Sequence, residues 1–507
     1  MALPAVVDSS NPLPPISRIP LELLSHIFVC ANTYDLSIGA HGAVESRGFD
    51  WGALLPSHVC RLWREVALCT PRMWTEIQVS DQTSNVHLVA LFLSRSKDAP
   101  LRVLARPCSS NGVQALRLVV PNFHRLELMY LHLPPGLPSA GVLLDETVLA
   151  VPRRSHFLKI LEIVDRRGDN LPVHQRNPMP VSFNAHHSSR LQELSVIGSP
   201  FDWGEHSLPL SLTRLEVHYD GTYGGAYTVG AVVNALKDLA ALISLSLRNI
   251  FSLENTLDIY PCCKIFLPSL QRISLNSSAL ACVRFLDLCD LPTGCTKFLR
   301  FSHSDTYNKL APTLNSILHS GTVEFGKQPV YKMCLYSFYR VEFFKRTPSL
   351  HAMNDKPNLI IMTDYELMES PQANVFRICH LADSLEGVSE LSLEVPLHWR
   401  TLGWDRLLQS LPSVESLSIS HCGAFLLCEM LFPLTNTPIL PSLKRVHLYS
   451  VVFEAGSFMQ LIADLCRRNV AGLQYRLNTI VLSKCSGDTV LEHLSTLEEV
   501  VDVVVVV

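Results

Sequence analysis

The pattern that most limits what this chain can fold into is a hexapeptide, L-x-x-L-x-L with other aliphatic residues admitted, that recurs along most of its length. It reads FHRLEL from 123, LKILEI from 158, LQELSV from 191, LTRLEV from 212, LISLSL from 242 and LQRISL from 270. It returns as VSELSL from 388, VESLSI from 414, LKRVHL from 443 and LNTIVL from 477. Successive starts lie 35, 33, 21, 30 and 28 residues apart in the first run, then 26, 29 and 34 in the second. The fourth and sixth positions alternate with polar neighbours, so each hexapeptide is a short strand turning two aliphatic side chains inward. A single strand of this kind cannot bury its apolar face.

Stacking solves that problem, and irregular spacing of this length suits degenerate leucine-rich repeats. A chain of 507 residues, 48% hydrophobic, has room for two to four domains or for one long array. The expected fold class is α/β: a leucine-rich-repeat solenoid over residues 81–500, with parallel strands on a concave face and helices or irregular segments on the convex one. VGAVVNALKDLAALI, WDRLLQSL and FMQLIADLCRR are suitable return helices, and prolines in LPSL and LPSV near 267, 411 and 440 close the helices before them. Cys422 and Cys485 fall at the ninth position, matching L-x-x-L-x-L-x-x-N/C, and are read as structural residues in the turn after the strand. Residues 299–385 fit the pattern poorly and are either diverged repeats or an insertion. The valine-rich tail at 501–507 is either a final strand or an aggregation hazard.

Ahead of the repeats, residues 1–15 read as a disordered lead-in without the basic and apolar regions of a signal peptide, which points to the cytosol or nucleus. IPLELLSHIF (19–28) then places Leu21, Leu24 and Phe28 on one helical face and Leu23 and Ile27 on the adjacent stripe. Pro20 suits the first helical position, and Glu22 complements the positive helix end. Gly39, Gly42, Gly48 and Gly52 mark a flexible loop. A second amphipathic helix is expected from an N-cap at Ser57, through Val59, Trp63 and Val66 or Ala67, to just before Pro71. Two helices this short cannot bury both apolar faces alone, so they either cap the repeats or dock another protein.

ISRIPLELLSHIFVCA followed by SHVCRLWREVALCTPRMW resembles the F-box, in particular the F-box-like variant of mushroom-forming fungi. The resemblance covers about residues 16–80, with the loop at 36–56 longer than the family's usual connection. It implies a helical module that binds a Skp-type adaptor and, through it, a cullin ubiquitin ligase. Carried over position by position, Ile19, Pro20, Leu23, Leu24, Ile27, Val59 and Trp63 are the implied adaptor contacts. The repeats would then hold a protein substrate. The runner-up is a repeat scaffold unconnected with ubiquitination, its N-terminal helices serving only as a cap.

If the strands present their polar faces outward, the surface available to a substrate includes Arg214, Glu216 and His218 in one repeat, Arg272, Ser274 and Asn276 in another, and Arg445, His447 and Tyr449 in a third. A formal net charge of −4 without long basic runs speaks against a nucleic-acid partner. Lys237 and Asp238 inside the most apolar window speak against a membrane span. The cysteines lack the paired C-x-x-C spacing of a zinc site. GTYGGAYTVG lacks a Walker Gly-Lys-Ser/Thr ending, and neither H-E-x-x-H nor G-x-S-x-G occurs. No catalytic residue, metal or cofactor is expected.

Overall fold

The computed structural model describes residues 19–32, 54–80, 86–135, 157–166, 190–219 apart from 200, 202 and 205–207, 227–251, 264–301 apart from 293, 330–336, 340–345, 359–363, 387–394, 408–421, 440–471 apart from 454 and 455, and 476–506 apart from 488 and 489. The lead-in at 1–15, most of the loop at 36–56 and Cys422 lie outside these residues. The chain is α/β and divides into two compact units, Met1–Asp202 with His206–Leu212, and Trp203–Glu205 with Thr213–Val507. Among the described residues no helix is long and apolar enough to cross a membrane.

The first unit opens with helices α1 (Leu21–Asn32), α2 (Leu55–Val59) and α3 (Arg61–Cys69), and a 3-10 turn over Pro71–Trp74. The expected second helix is thus broken. It begins at Leu55, where Pro56 needs no N–H partner, and Ser57 is inside it, its hydroxyl donating to the Leu54 carbonyl at 2.7 Å. Cys60 is extended (φ −157°) and restarts the helix as an N-cap, its Sγ accepting from the Trp63 N–H at 3.5 Å. Strands β1 (Glu76–Ser80), β2 (Leu101–Arg106), β3 (Leu126–Leu133), β4 (Ile160–Asp165) and β5 (Glu193–Ile197) then pair in sequence, all parallel, with α4 (Val86–Ser96) and α5 (Ser110–Val119) between them. The sheet therefore starts at Glu76, inside the segment assigned from sequence to the helical module.

In the second unit β6 (Arg214–His218), β7 (Ser244–Arg248), β9 (Arg272–Ser277) and β11 (Thr296–Phe301) are parallel neighbours. Between them lie α6 (Val229–Leu236), α7 (Ala279–Asp287) and a two-residue parallel pair, β8 (Ile265–Phe266) with β10 (Cys289–Asp290). Thr228 and Ser278 cap the two helices, each hydroxyl accepting from the N–H three residues on at 3.2 Å. The poorly fitting region departs from a parallel array. There β12 (Val330–Tyr336), β13 (Arg340–Lys345) and β14 (Leu359–Thr363) form an antiparallel meander laid in reverse order, β14 against β11 and β12 against β15 (Glu390–Glu394). Parallel order then resumes through β16 (Ser416–Ser420), β17 (Arg445–Tyr449), β18 (Thr479–Ser483) and β19 (Val503–Val506), with α8 (Ser457–Ala471) and α9 (Leu494–Val500) alongside. The valine tail is thus a final strand.

Burial follows the hexapeptide closely. Its first, fourth and sixth residues are buried in every copy, as in Leu242, Leu245 and Leu247 or Val414, Leu417 and Ile419. Burying three aliphatic side chains per strand contributes about 5–9 kcal/mol before the entropy of ordering the chain is counted. The first position ends a tight turn: in LPSL the Leu270 and Leu443 N–H groups donate back to Leu267 and Leu440 at 3.2 and 3.1 Å, with proline pre-set in the turn, and before Leu267 the chain is strand β8, so Pro268 closes no helix there. The eighth position is left-handed in five copies, at Gly198, Asn249, His421, Ser450 and Lys484, with φ from 51° to 80°. This bend carries the ladder past the strand end, the Asn249 and Ser450 N–H groups reaching the Asn276 and Ser483 carbonyls at 2.7 and 2.9 Å. Gly198 is fixed by space as well, since a Cβ there would sit 1.9 Å from the Asp165 carbonyl oxygen.

One hexapeptide is mis-phased. β3 shifts register after Leu126, so Met129 lies beside Leu161 and Leu131 beside Ile163, and the true unit is LELMYL from 126, three residues beyond FHRLEL. β1 and β2 are repeats of the same phase, Ile77 beside Val103 and Val103 beside Met129. Trp74, Pro100 and Ala105 replace the usual aliphatics and hide these two units from the pattern.

Candidate functional site

The helical module has two apolar faces with opposite fates. Leu24 and Phe28 of α1 are 1% and 3% exposed and pack towards α3 and the 3-10 turn, with Val66, Ala67 and Met73 also buried. Trp74 closes this core: its indole N–H donates to the Ala67 carbonyl at 2.9 Å, its ring meets Phe92 of α4 edge-on at 5.2 Å, and the Arg95 guanidinium lies 4.4 Å from the ring centre. The module is therefore joined to α4 by its inner face. Its other face is bare. Leu23 and Ile27 of α1 are 56% and 50% exposed, and Leu55 and Val59 of α2 are 60% and 59% exposed.

Of the implied adaptor contacts, Leu23, Ile27 and Val59 are on this bare face, Pro20 is exposed and Ile19 half-buried. Leu24 is a correction: it points into the module, because i and i+4 bring it in line with Phe28 over α3. Trp63 is half-buried, its ring 4.9 Å from Phe28 at 56°, and so stitches α3 to α1. Leu55, one turn before Val59 on α2, is exposed as well, although the resemblance does not imply it as a contact, and Leu21 is an exposed member of the inner stripe at the start of α1. Leu55 falls within the loop as the sequence is read, and only the helical start at Leu55 brings it beside Val59.

On the sheet, the polar residues named from sequence occupy the outward positions, and register sorts them into rows. Across β6, β7, β9 and β11 the rows are Arg214, Ser244, Arg272, Thr296; then Glu216, Ser246, Ser274, Phe298; then His218, Arg248, Asn276, Arg300. All four arginines are exposed, with Arg272 stacked 5.2 Å from the Phe298 ring centre. His218 Nε2 lies 3.0 Å from Ser246 Oγ and 3.2 Å from Glu216 Oε1. Serine and carboxylate meet the same ring nitrogen, so the cluster lacks the through-ring relay of a Ser/His/acid triad. Arg445, His447 and Tyr449 form a separate group on β17. Arg445 is exposed, His447 Nε2 lies 2.9 Å from Ser483 Oγ, and Lys484 donates to the Tyr449 hydroxyl at 2.9 Å.

A hollow of about 490 Å³ in the first unit, which no motif announces, is lined by Val29 of α1, Arg72, Leu128, Ile160 and two charge pairs. These are Arg102 with Glu76 at 2.7 Å and Lys159 with Glu127 at 2.6 Å. The thiols divide by depth. Cys282, Cys289 and Cys295 are buried, and desolvation pushes Cys289 up and Cys295 up to about 11. Cys485 sits half-buried in the turn after β18, its thiol donating to the Leu448 and Ser483 carbonyls at 3.4 and 3.6 Å, and burial raises it too. Compared with known proteins, the chain matches no protein-family model and no curated protein.

Proposed function

We propose that this chain is a substrate-recognition adaptor of an SCF-type ubiquitin ligase, in which α1 and α2 dock a Skp-type protein and a leucine-rich-repeat solenoid holds a protein substrate. The observation that carries the reading is the exposure of the aliphatic pairs Leu23 and Ile27 on α1 and Leu55 and Val59 on α2, alongside a second stripe of α1, Leu24 and Phe28, already satisfied by packing. A helix that only capped the repeats would need one apolar stripe, and α1 has two. The F-box-like sequence of this segment supports the same partner. For the repeats, support comes from the parallel β4–β5, β6–β7–β9 and β15–β18 series, the buried three-residue code and the recurrent left-handed turn. Such an adaptor acts by proximity, holding substrate near the ubiquitin-loaded enzyme.

Co-purification with a Skp-type adaptor tests the docking half. Wild type should retain the adaptor, and Leu23→Asp/Val59→Asp, two exposed positions, should lose it with an unchanged circular-dichroism spectrum. Retention by the double variant would overturn the reading.

A further inference from the structure

Among the described residues, the outward face of β6, β7, β9 and β11 carries four arginines and one carboxylate, Glu216, on a chain whose formal net charge is −4. The outward positions of β15 to β17 run the other way, with Glu390 and Glu394 against Arg445. Arg214 and Arg300, at the edges of the patch, make further contacts of their own. Its centre is Arg272 at the start of β9 and Arg248 at the end of β7. In register these stand four residues apart along neighbouring strands, about 13 Å along and 5 Å across. Between them lie Ser246 and Ser274, small hydroxyls that leave the middle of the patch low. Guanidinium groups at this separation suit two anions held on one chain, each bound through a planar fork of N–H donors. An extended peptide advances about 3.3–3.6 Å per residue, so the matching anions are four residues apart.

We propose that the face centred on Arg248 and Arg272 binds an extended peptide segment bearing anionic side chains at positions i and i+4. The inference deepens the substrate half of the proposed function and rests on it. Phosphoserine and carboxylate share the chemistry required.

The test is fluorescence anisotropy on the full chain with labelled nonapeptides carrying phosphoserine at positions 3 and 7, glutamate at 3 and 7, phosphoserine at 3 and 4, or no anion. The 3/7 peptides should bind at least about tenfold more tightly than the 3/4 and neutral ones, and the tighter of the two 3/7 peptides identifies the anion. Arg248→Gln and Arg272→Gln should each weaken binding about tenfold, while Arg117→Gln on α5 should change nothing. Equal binding of all spacings, indifference to both glutamine variants, or displacement of peptide by a single-stranded oligonucleotide at lower concentration would overturn the proposal. Adaptor binding measured on the same preparations separates the two readings. Peptide failure with the adaptor retained removes only this inference, and adaptor failure with peptide bound removes only the ligase assignment.

Discussion

The outward faces of the two sheet regions are built from the same strand pattern and end in different chemistry. On β3 and β4 of the first unit the outward positions include Leu128, Tyr130 and Val164, only 6%, 4% and 7% exposed, and the polar groups nearby are paired, Arg102 with Glu76, Lys159 with Glu127 and His132 with Glu162. On β7 and β9 the equivalent positions are serines, an asparagine and exposed arginines. The inward residues at the fourth and sixth positions hardly differ between the regions, all apolar and buried. Inward identity is thus set by packing behind the sheet, which every strand must satisfy, whereas outward identity is free to vary between regions.

Single substitutions can break or sharpen that contrast. Tyr130→Ala and Ser274→Ala remove outward side chains from equivalent faces. The first should cost about 3–4 kcal/mol by chemical denaturation and the second under about 0.5. Equal costs would mean that the first face is not a buried one. Gly198→Ala should cost about 2–3 kcal/mol, because the left-handed bend and the Asp165 carbonyl both oppose a Cβ. Asn249→Gly, at the equivalent bend of β7, should be tolerated within about 1 kcal/mol. In a native thiol assay at pH 8 the exposed Cys30, Cys60, Cys69, Cys108 and Cys466 should label, while Cys282, Cys289 and Cys295 stay protected until unfolding. Rapid labelling of Cys295, whose folded value of about 11 keeps it protonated at that pH, would contradict its placement. Least of all, Lys159→Met, which opens the half-exposed pair with Glu127, should change stability by under about 1 kcal/mol.

The range of the forces involved decides how much of this was legible in the sequence. The hexapeptide strands were readable because inward and outward alternation is local to five or six residues. β1 and β2 were not, because Trp74 and Ala105 fill the same space with other side chains. The phase of β3 was ambiguous because Leu126 and Leu128 satisfy the pattern as well as Met129 and Leu131, and only pairing with Leu161 and Ile163 decides. The reversed meander of β12 to β14 depends on long-range strand order, on which a hexapeptide code is silent. At the candidate site, Arg214, Arg272 and Asn276 were found strand by strand. Arg248 and Arg300 were missed, since their place in the patch exists only across the register. On α1 the apolar stripes were visible, but which one the module consumes was not, and Leu24 was therefore misplaced.

The claim that ties these regions into one protein is that the bare stripe of α1 is a docking surface and the buried stripe is not. Calorimetric titration of a Skp-type adaptor into wild type, Ile27→Asp and Phe28→Leu tests it directly. The account predicts that Ile27→Asp abolishes the binding heat without lowering the melting temperature, and that Phe28→Leu lowers the melting temperature while binding persists. Full binding by Ile27→Asp would contradict it.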